Sequence, residues 1–156
     1  MAPSDLLRPL EGQRHETLRL IDSLSEADLD RETEHGEWKV RDILAHLSSA
    51  ELGQVFLIRL AADGDIVHLS PEDRDQFNQD EVGKAQGWTL ERLRGELEES
   101  REALREVFAA MSEDDLDRPI RWPEWPARSI RTSIPYMLEH EDSHLDEVRQ
   151  ALGRDD

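Results

Sequence analysis

"IPYMLEHEDSHLDEVRQAL", residues 134–152, is the stretch on which the fold turns. Its apolar residues follow a helical period, and the run stops before Gly153. Pro135 leaves two starts open. It sits either in the first turn or as a kink in a longer helix that begins near Ser129. His140 and His144 are four apart, so a helix brings both imidazoles to one face, one turn apart, where they can chelate a single ion. The spelling is also H-E-x-x-H, the metalloprotease signature. A zincin takes its third ligand from downstream. Here only 12 residues follow His144, and none is a histidine. The polar Glu141, Asp142 and Ser143 suit a wet helix better than a packed protease one, so the protease reading is disfavoured.

Three further segments share the period. The first runs from about Ser4, a candidate N-cap, to Leu24, with Pro9 near its start. The second runs from Val40 to Ala62, with a stripe of Ile43, Leu47, Ala50, Gln54, Leu57 and Ala61. The third begins after Thr89, a good N-cap, and reaches Met111. No strand period appears. Residues 63–88 read as a long polar crossover, and "RPIRWPEWPARS" as an ordered link rich in Trp and Pro. The expectation is an all-α, four-helix bundle in one domain spanning 1–156. A faint repeat pairs "SEADLDR" (25–31) with "SEDDLDR" (112–118). Setting "ILAH" (43–46) against "MLEH" (137–140) then aligns His46 with His140. The competing view is a common acidic cap turn that occurs twice.

His46 is the better third ligand. It lies in an apolar stripe between Leu44 and Leu47. Alone it would read as a hydrogen-bonded core histidine, but three histidines converging from two helices favour a metal. Three neutral imidazoles leave coordination positions open, the condition for catalysis, and suit zinc or nickel alike. His15 reads as a surface residue of the first helix. His35 and His68 fall in loops.

The balance of 19 basic against 37 acidic residues, a net charge of −18, disfavours nucleic acid and anionic lipid as partners. No cysteine is present, so this chain supplies neither disulfides nor a thiolate of its own. The N-terminal residues lack a signal-peptide pattern, and "VFLIRLAA" (55–62) is too short for a bilayer and contains Arg59. A soluble, cytoplasmic protein is expected.

"EWKVRDILAHLSSAE" (37–51) and "MLEHEDSHLDEVRQAL" (137–152) together resemble the second-helix and last-helix motifs of the DinB-like superfamily, the DinB/YfiT-like metalloenzymes. The resemblance covers nearly the whole chain in layout. It implies an up-down-down-up four-helix bundle with a long crossover between the second and third helices. It also implies a divalent metal triad of His46, His140 and His144. Characterised members resemble thiol-dependent S-transferases and isomerases that use bacillithiol, mycothiol or glutathione in bacteria. A small electrophile is then the expected substrate, and a homodimer is compatible with the resemblance.

Weaker candidates stand beside the triad. Glu141 either supports a ligand, acts as a general base, or is a solvated acid next to a ligand. Asp42 either orients a ligand or is an acid of the first helical turn, favoured by the helix dipole. Asn78 and Trp88 either line a pocket mouth or serve as a cap or turn residue and a packed anchor. Arg59 and Arg149 either meet a substrate carboxylate or form salt bridges. Two other functions compete with the enzyme: a non-catalytic, stress-related metal- or ligand-binding protein, and a metal-dependent hydrolase.

Overall fold

The computed structural model describes residues 2–34, 36–66, 69–121 and 129–154. His35, His68 and most of the Trp- and Pro-rich link lie outside them. Among the described residues the regular structure is helical, with only two isolated β-bridges. The helices are α1 (Arg8–Asp22), α2 (Val40–Ala62), α3 (Pro71–Lys84), α4 (Leu90–Ala110) and α5 (Ile130–Ala151).

Helix α2 has the expected bounds, and α4 starts after its Thr89 cap. The N-terminus differs from expectation. Pro3–Leu7 forms a 3-10 turn behind Ala2, and α1 begins only at Arg8, with Pro9 in its first turn where no N–H is missed. The longer start of α5 is the one formed. Ser129 caps it by accepting from the Thr132 N–H, and Pro135 lies inside. Ser129→Ala is therefore expected to lower stability by about 1 kcal/mol, measured by urea denaturation.

The crossover 63–88 is not a plain loop, because Pro71–Lys84 folds as α3. Its caps were in the sequence: Ser70 as N-cap, Pro71 at the first position, Glu72 and Asp73 in the first turn, Lys84 in the last. What it lacks is an apolar stripe. Val82 is its one buried residue, so periodicity gave no signal. Gly87, at φ +100°, then turns the chain into α4, a conformation that disfavours any other residue.

Hydrogen bonds fix the helix directions. Against α1, residues 10, 14 and 22 meet 101, 97 and 94 of α4, so these two run antiparallel. Residues 13 and 14 of α1 meet 138 and 141 of α5, and Ser23 meets Arg154, so α1 and α5 run parallel. Arg41 reaches the Trp88 carbonyl and Glu51 reaches Arg101, so α2 and α4 run parallel. The order is up-down-down-up for α1, α2, α4 and α5. Two parallel helices adjacent in sequence need the long crossover that carries α3.

The repeat is real in three dimensions. Ser25 and Asp28 cap each other as Ser112 and Asp115 do. Arg31 bonds Asp28 as Arg118 bonds Asp115. The Val40 N–H meets the Arg31 carbonyl at 3.0 Å, and the Ile130 N–H meets that of Arg118 at 3.2 Å. Arg41 pairs with Asp30 as Arg131 pairs with Asp117. Val40 is thus equivalent to Ile130, which sets His46 against Tyr136. The alignment of His46 with His140 was four residues, one helical turn, out of register. Matching two short apolar strings misplaced it, whereas the backbone bridge at each helix start fixes it.

The core is split. One apolar cluster holds Leu10, Ile58, Leu104, Phe108, Leu116 and Ile130. The other holds Leu29, Trp38, Ile43, Leu44, Leu93 and Leu97. A buried layer of charge lies within the bundle beside these two clusters, and its members are Arg14, Glu51, Arg101 and Glu141. Helix α2 is long and apolar enough to match a membrane span, with 56% of its most apolar window buried within this fold.

Candidate metal centre

His46 stands in the second turn of α2. His140 and His144 stand in the middle of α5, one turn apart, where the i, i+4 spacing places them on the side that faces α2. One ring nitrogen from each of the three lies within 4.8 Å of the others. The Nε2 atoms of His46 and His140 are 3.2 Å apart. Ring centroids are separated by 5.1 Å (His46–His140), 4.9 Å (His46–His144) and 4.7 Å (His140–His144), each pair nearly edge to face. Nitrogens bound tetrahedrally to one ion at ~2.1 Å stand roughly 3.4 Å apart, so the donor set fits a divalent cation. His46 and His144 are buried and His140 is half-buried, which leaves one side toward solvent.

Two neighbours lie against the rings. Trp38 packs on the His46 ring at 4.8 Å between centroids. Glu147, one turn beyond His144, places Oε1 3.1 Å from its Nδ1, a close approach of carboxylate and ring. Neither Trp38 nor Glu147 was singled out from sequence. The i, i+3 step from His144 to Glu147 was the available signal. Burial holds the His140 imidazole below its ordinary pKa, partly opposed by the Glu141 charge.

Glu141 faces away from this cluster. Its carboxylate accepts from Arg14 at 2.7 and 3.1 Å and from the Thr17 hydroxyl at 2.6 Å. Burial alone would raise its pKa, but the Arg14 and Thr17 hydrogen bonds and the Arg14 charge outweigh that and lower it. A carboxylate so committed does not serve as the water-activating base of an H-E-x-x-H protease. Arg14 also donates to Glu51 at 3.1 and 3.2 Å and to the Leu97 carbonyl at 2.8 Å. Arg101 donates to Glu51 at 3.0 and 2.9 Å and to the Leu10 carbonyl at 2.8 Å. Ser100 completes the shell of Glu51 at 2.6 Å. The duplication explains the pattern. Arg14 is equivalent to Arg101, Leu10 to Leu97 and Glu51 to Glu141. Sequence reasoning missed all of it, because charged residues are rarely fully buried and a helix period does not reveal which ones pair.

The pH dependence has a definite sign. Glu141 and His140 both have folded pKa values below their ordinary 4.5 and 6.5. The unfolded chain therefore binds more protons in acid, and stability falls as pH falls. The His140 share is complete above about 6.5 and is lost below it; the Glu141 share goes below about 4.5. Urea midpoints of the metal-free protein should decline from pH 7 toward pH 4, and a flat profile would contradict this.

Asp42, Trp88 and Arg149 take structural roles, whereas Asn78 lies within α3 rather than at a cap or turn, and Arg59 lines a pocket away from the histidines. Asp42 caps α2 by accepting from the Lys39 N–H at 2.9 Å and accepts from Gln86 at 2.6 Å. Trp88 lies under the Arg92 guanidinium, 4.4 Å from its centre. Asn78 is half-buried on α3, and His15 is exposed. Arg149 pairs with Asp146 at 3.3 Å. Arg59, about 20 Å along α2 from His46, lines a separate pocket of about 310 Å³ with Asp63, Glu106 and Met111.

The DinB superfamily model matches residues 10–148, and the chain belongs to that superfamily. It is 26% identical over 148 residues to the uncharacterized protein YuaE of Bacillus subtilis, covering 88% of this chain and 91% of that one. Its fold is similar to the crystal structure of the mycothiol-dependent maleylpyruvate isomerase, with a TM-score of 0.79 at 15% identity. A histidine-to-alanine mutant of that isomerase gives a TM-score of 0.78 at 14% identity. The match covers 95% of this chain and spans 61% of the isomerase's length.

Proposed function

We propose that this DinB-superfamily chain is a single metal-dependent catalytic domain that directs an external low-molecular-weight thiol at a small electrophile, as an S-transferase or isomerase. The observation that carries it is the convergence of His46, His140 and His144 from two helices at a half-buried face. These three residues would hold a divalent ion, zinc or nickel, leaving a position for an exogenous ligand. Once bound, such an ion lowers the pKa of a thiol or water molecule. The chain has no cysteine, so the thiol must come from outside, as bacillithiol, mycothiol or glutathione. The dependence of the similar isomerase on mycothiol supports this choice of nucleophile. The chain's own part is placement: Glu147 lies beside the His144 ring, Trp38 packs on His46, and Arg14 pairs with Glu141.

The net charge of −18 supports a soluble protein without nucleic-acid or anionic-membrane partners, and a chain without cysteine is compatible with the cytoplasm. A homodimer is compatible with it. Hydrolysis is the weaker reading, since Glu141 is already paired with Arg14. A non-catalytic metal- or ligand-binding protein would keep the ion and turn nothing over.

Metal analysis of the purified protein, with a transfer screen against the three thiols and a panel of small electrophiles, tests the proposal. Stoichiometric metal and thiol-dependent turnover abolished by chelation are expected. Metal without turnover favours the binding protein, and no metal refutes the centre. Since ligation needs neutral imidazole, bound ion should be released as pH falls through the range in which these histidines protonate.

A further inference from the structure

We propose that Arg14 is a positioning residue for the three-imidazole centre, because its guanidinium is the shared anchor of the two helices that carry the imidazoles. This rests on the metal-site reading above. Helix α1 contributes no imidazole to the centre, yet it grips α5 around and between the two ligand positions. Gln13 donates to the Leu138 carbonyl at 2.6 Å and to Asp142 at 2.8 Å. Thr17 and Arg14 both donate to Glu141, which adjoins His140 and precedes His144 by one turn. The other side of the same guanidinium holds Glu51, five residues beyond His46 on α2. Glu51–Arg14–Glu141 is thus a continuous charged bridge between α2 and α5.

Such a bridge does what apolar packing does not. Burial of Ile58 or Val148 is non-directional and tolerates small slides of one helix on another. A guanidinium fork bonded to two carboxylates fixes both distance and angle. Metal sites need ligand distances within about 0.2 Å of ideal, so a constraint on α2–α5 spacing bears directly on affinity.

The duplication supplies a matched control. Arg101 is equally buried and makes the equivalent carbonyl bond, to Leu10. It also shares Glu51. Its second carboxylate, however, is Glu11 on α1 rather than Glu141 on α5. Arg14 and Arg101 contribute alike to the charge layer and differ in which helices they join.

Wild type, Arg14→Lys and Arg101→Lys should be titrated with Co²⁺, with the visible spectrum recorded and urea stability measured in parallel. Lysine keeps the charge and loses the fork. Both variants are expected to lose stability. Arg14→Lys should weaken Co²⁺ binding about tenfold or more and alter its visible band. Arg101→Lys should stay within about twofold of wild type. Equal weakening by the two variants, or wild-type affinity in Arg14→Lys, overturns the proposal. If Arg14→Lys does not fold, Thr17→Val decides. It keeps shape and charge while loosening Glu141, and a several-fold weaker affinity is expected; unchanged affinity refutes the positioning role. Wild type that binds no Co²⁺ refutes the metal reading itself and this inference with it, a result distinct from either variant outcome.

Discussion

Glu51→Ala is expected to destabilise the protein by about 3–5 kcal/mol, the cost of removing one partner from a buried, hydrogen-bonded ion network. Glu51 is the hub of that network. It accepts from both fully buried arginines, Arg14 and Arg101, and from Ser100. Without it, Arg101 keeps an ion pair with the part-exposed Glu11, and Arg14 keeps its pair with Glu141. A guanidinium cannot shed its charge to adapt. Burial alone would lower the pKa of Arg14, yet hydrogen bonds and charge from Glu141 and Glu51 leave it raised. An exposed control, Glu16→Ala, breaks only a surface pair with Arg19 and should change stability by less than about 0.5 kcal/mol. Urea denaturation of both variants gives the comparison. A loss below about 1 kcal/mol for Glu51→Ala would show that water or local rearrangement compensates the arginines.

His46→Ala is expected to reduce bound metal to background while the helical circular dichroism persists. The variant removes the ligand from α2 and leaves two imidazoles on one helix, a weaker and more open chelate. The fold should survive, because both apolar clusters are built from other residues. The lost packing of the ring against Trp38 should cost about 1–3 kcal/mol. Unchanged metal content would refute the triad. A collapsed helical signal would make His46 a structural residue of the core.

The contrast between those two residues shows what the sequence carries. His46 was legible because histidine is uncommon in an apolar stripe and a matching pair waits on α5. Glu51 sits five residues away with the same helical context, and nothing local separates it from the other acids of a chain that has 37. The duplicated Ser-Glu-x-Asp-Leu-Asp-Arg turn was legible too. Its register was not, because "ILAH" and "MLEH" match as strings while the backbone bridges at Val40 and Ile130 pair differently. Helix α3 was hidden for the opposite reason. Its caps were written in the sequence, but it buries almost nothing, so no stripe announced it.

The sequence by itself determined the helical class, the bounds of α2, the cap of α4 and the pairing of His140 with His144. Each of these follows from local periodicity, capping chemistry or i, i+4 geometry, which act within a few residues. Tertiary structure alone decided that Arg14, Glu51, Arg101 and Glu141 share one buried layer, that Glu141 turns from the imidazoles toward Arg14, and that His46 meets His140 and His144. Arg14 and Glu141 lie 127 positions apart. Which of many equivalent charges meet across that separation depends on helix order and register, and the pattern within any single helix is silent about both.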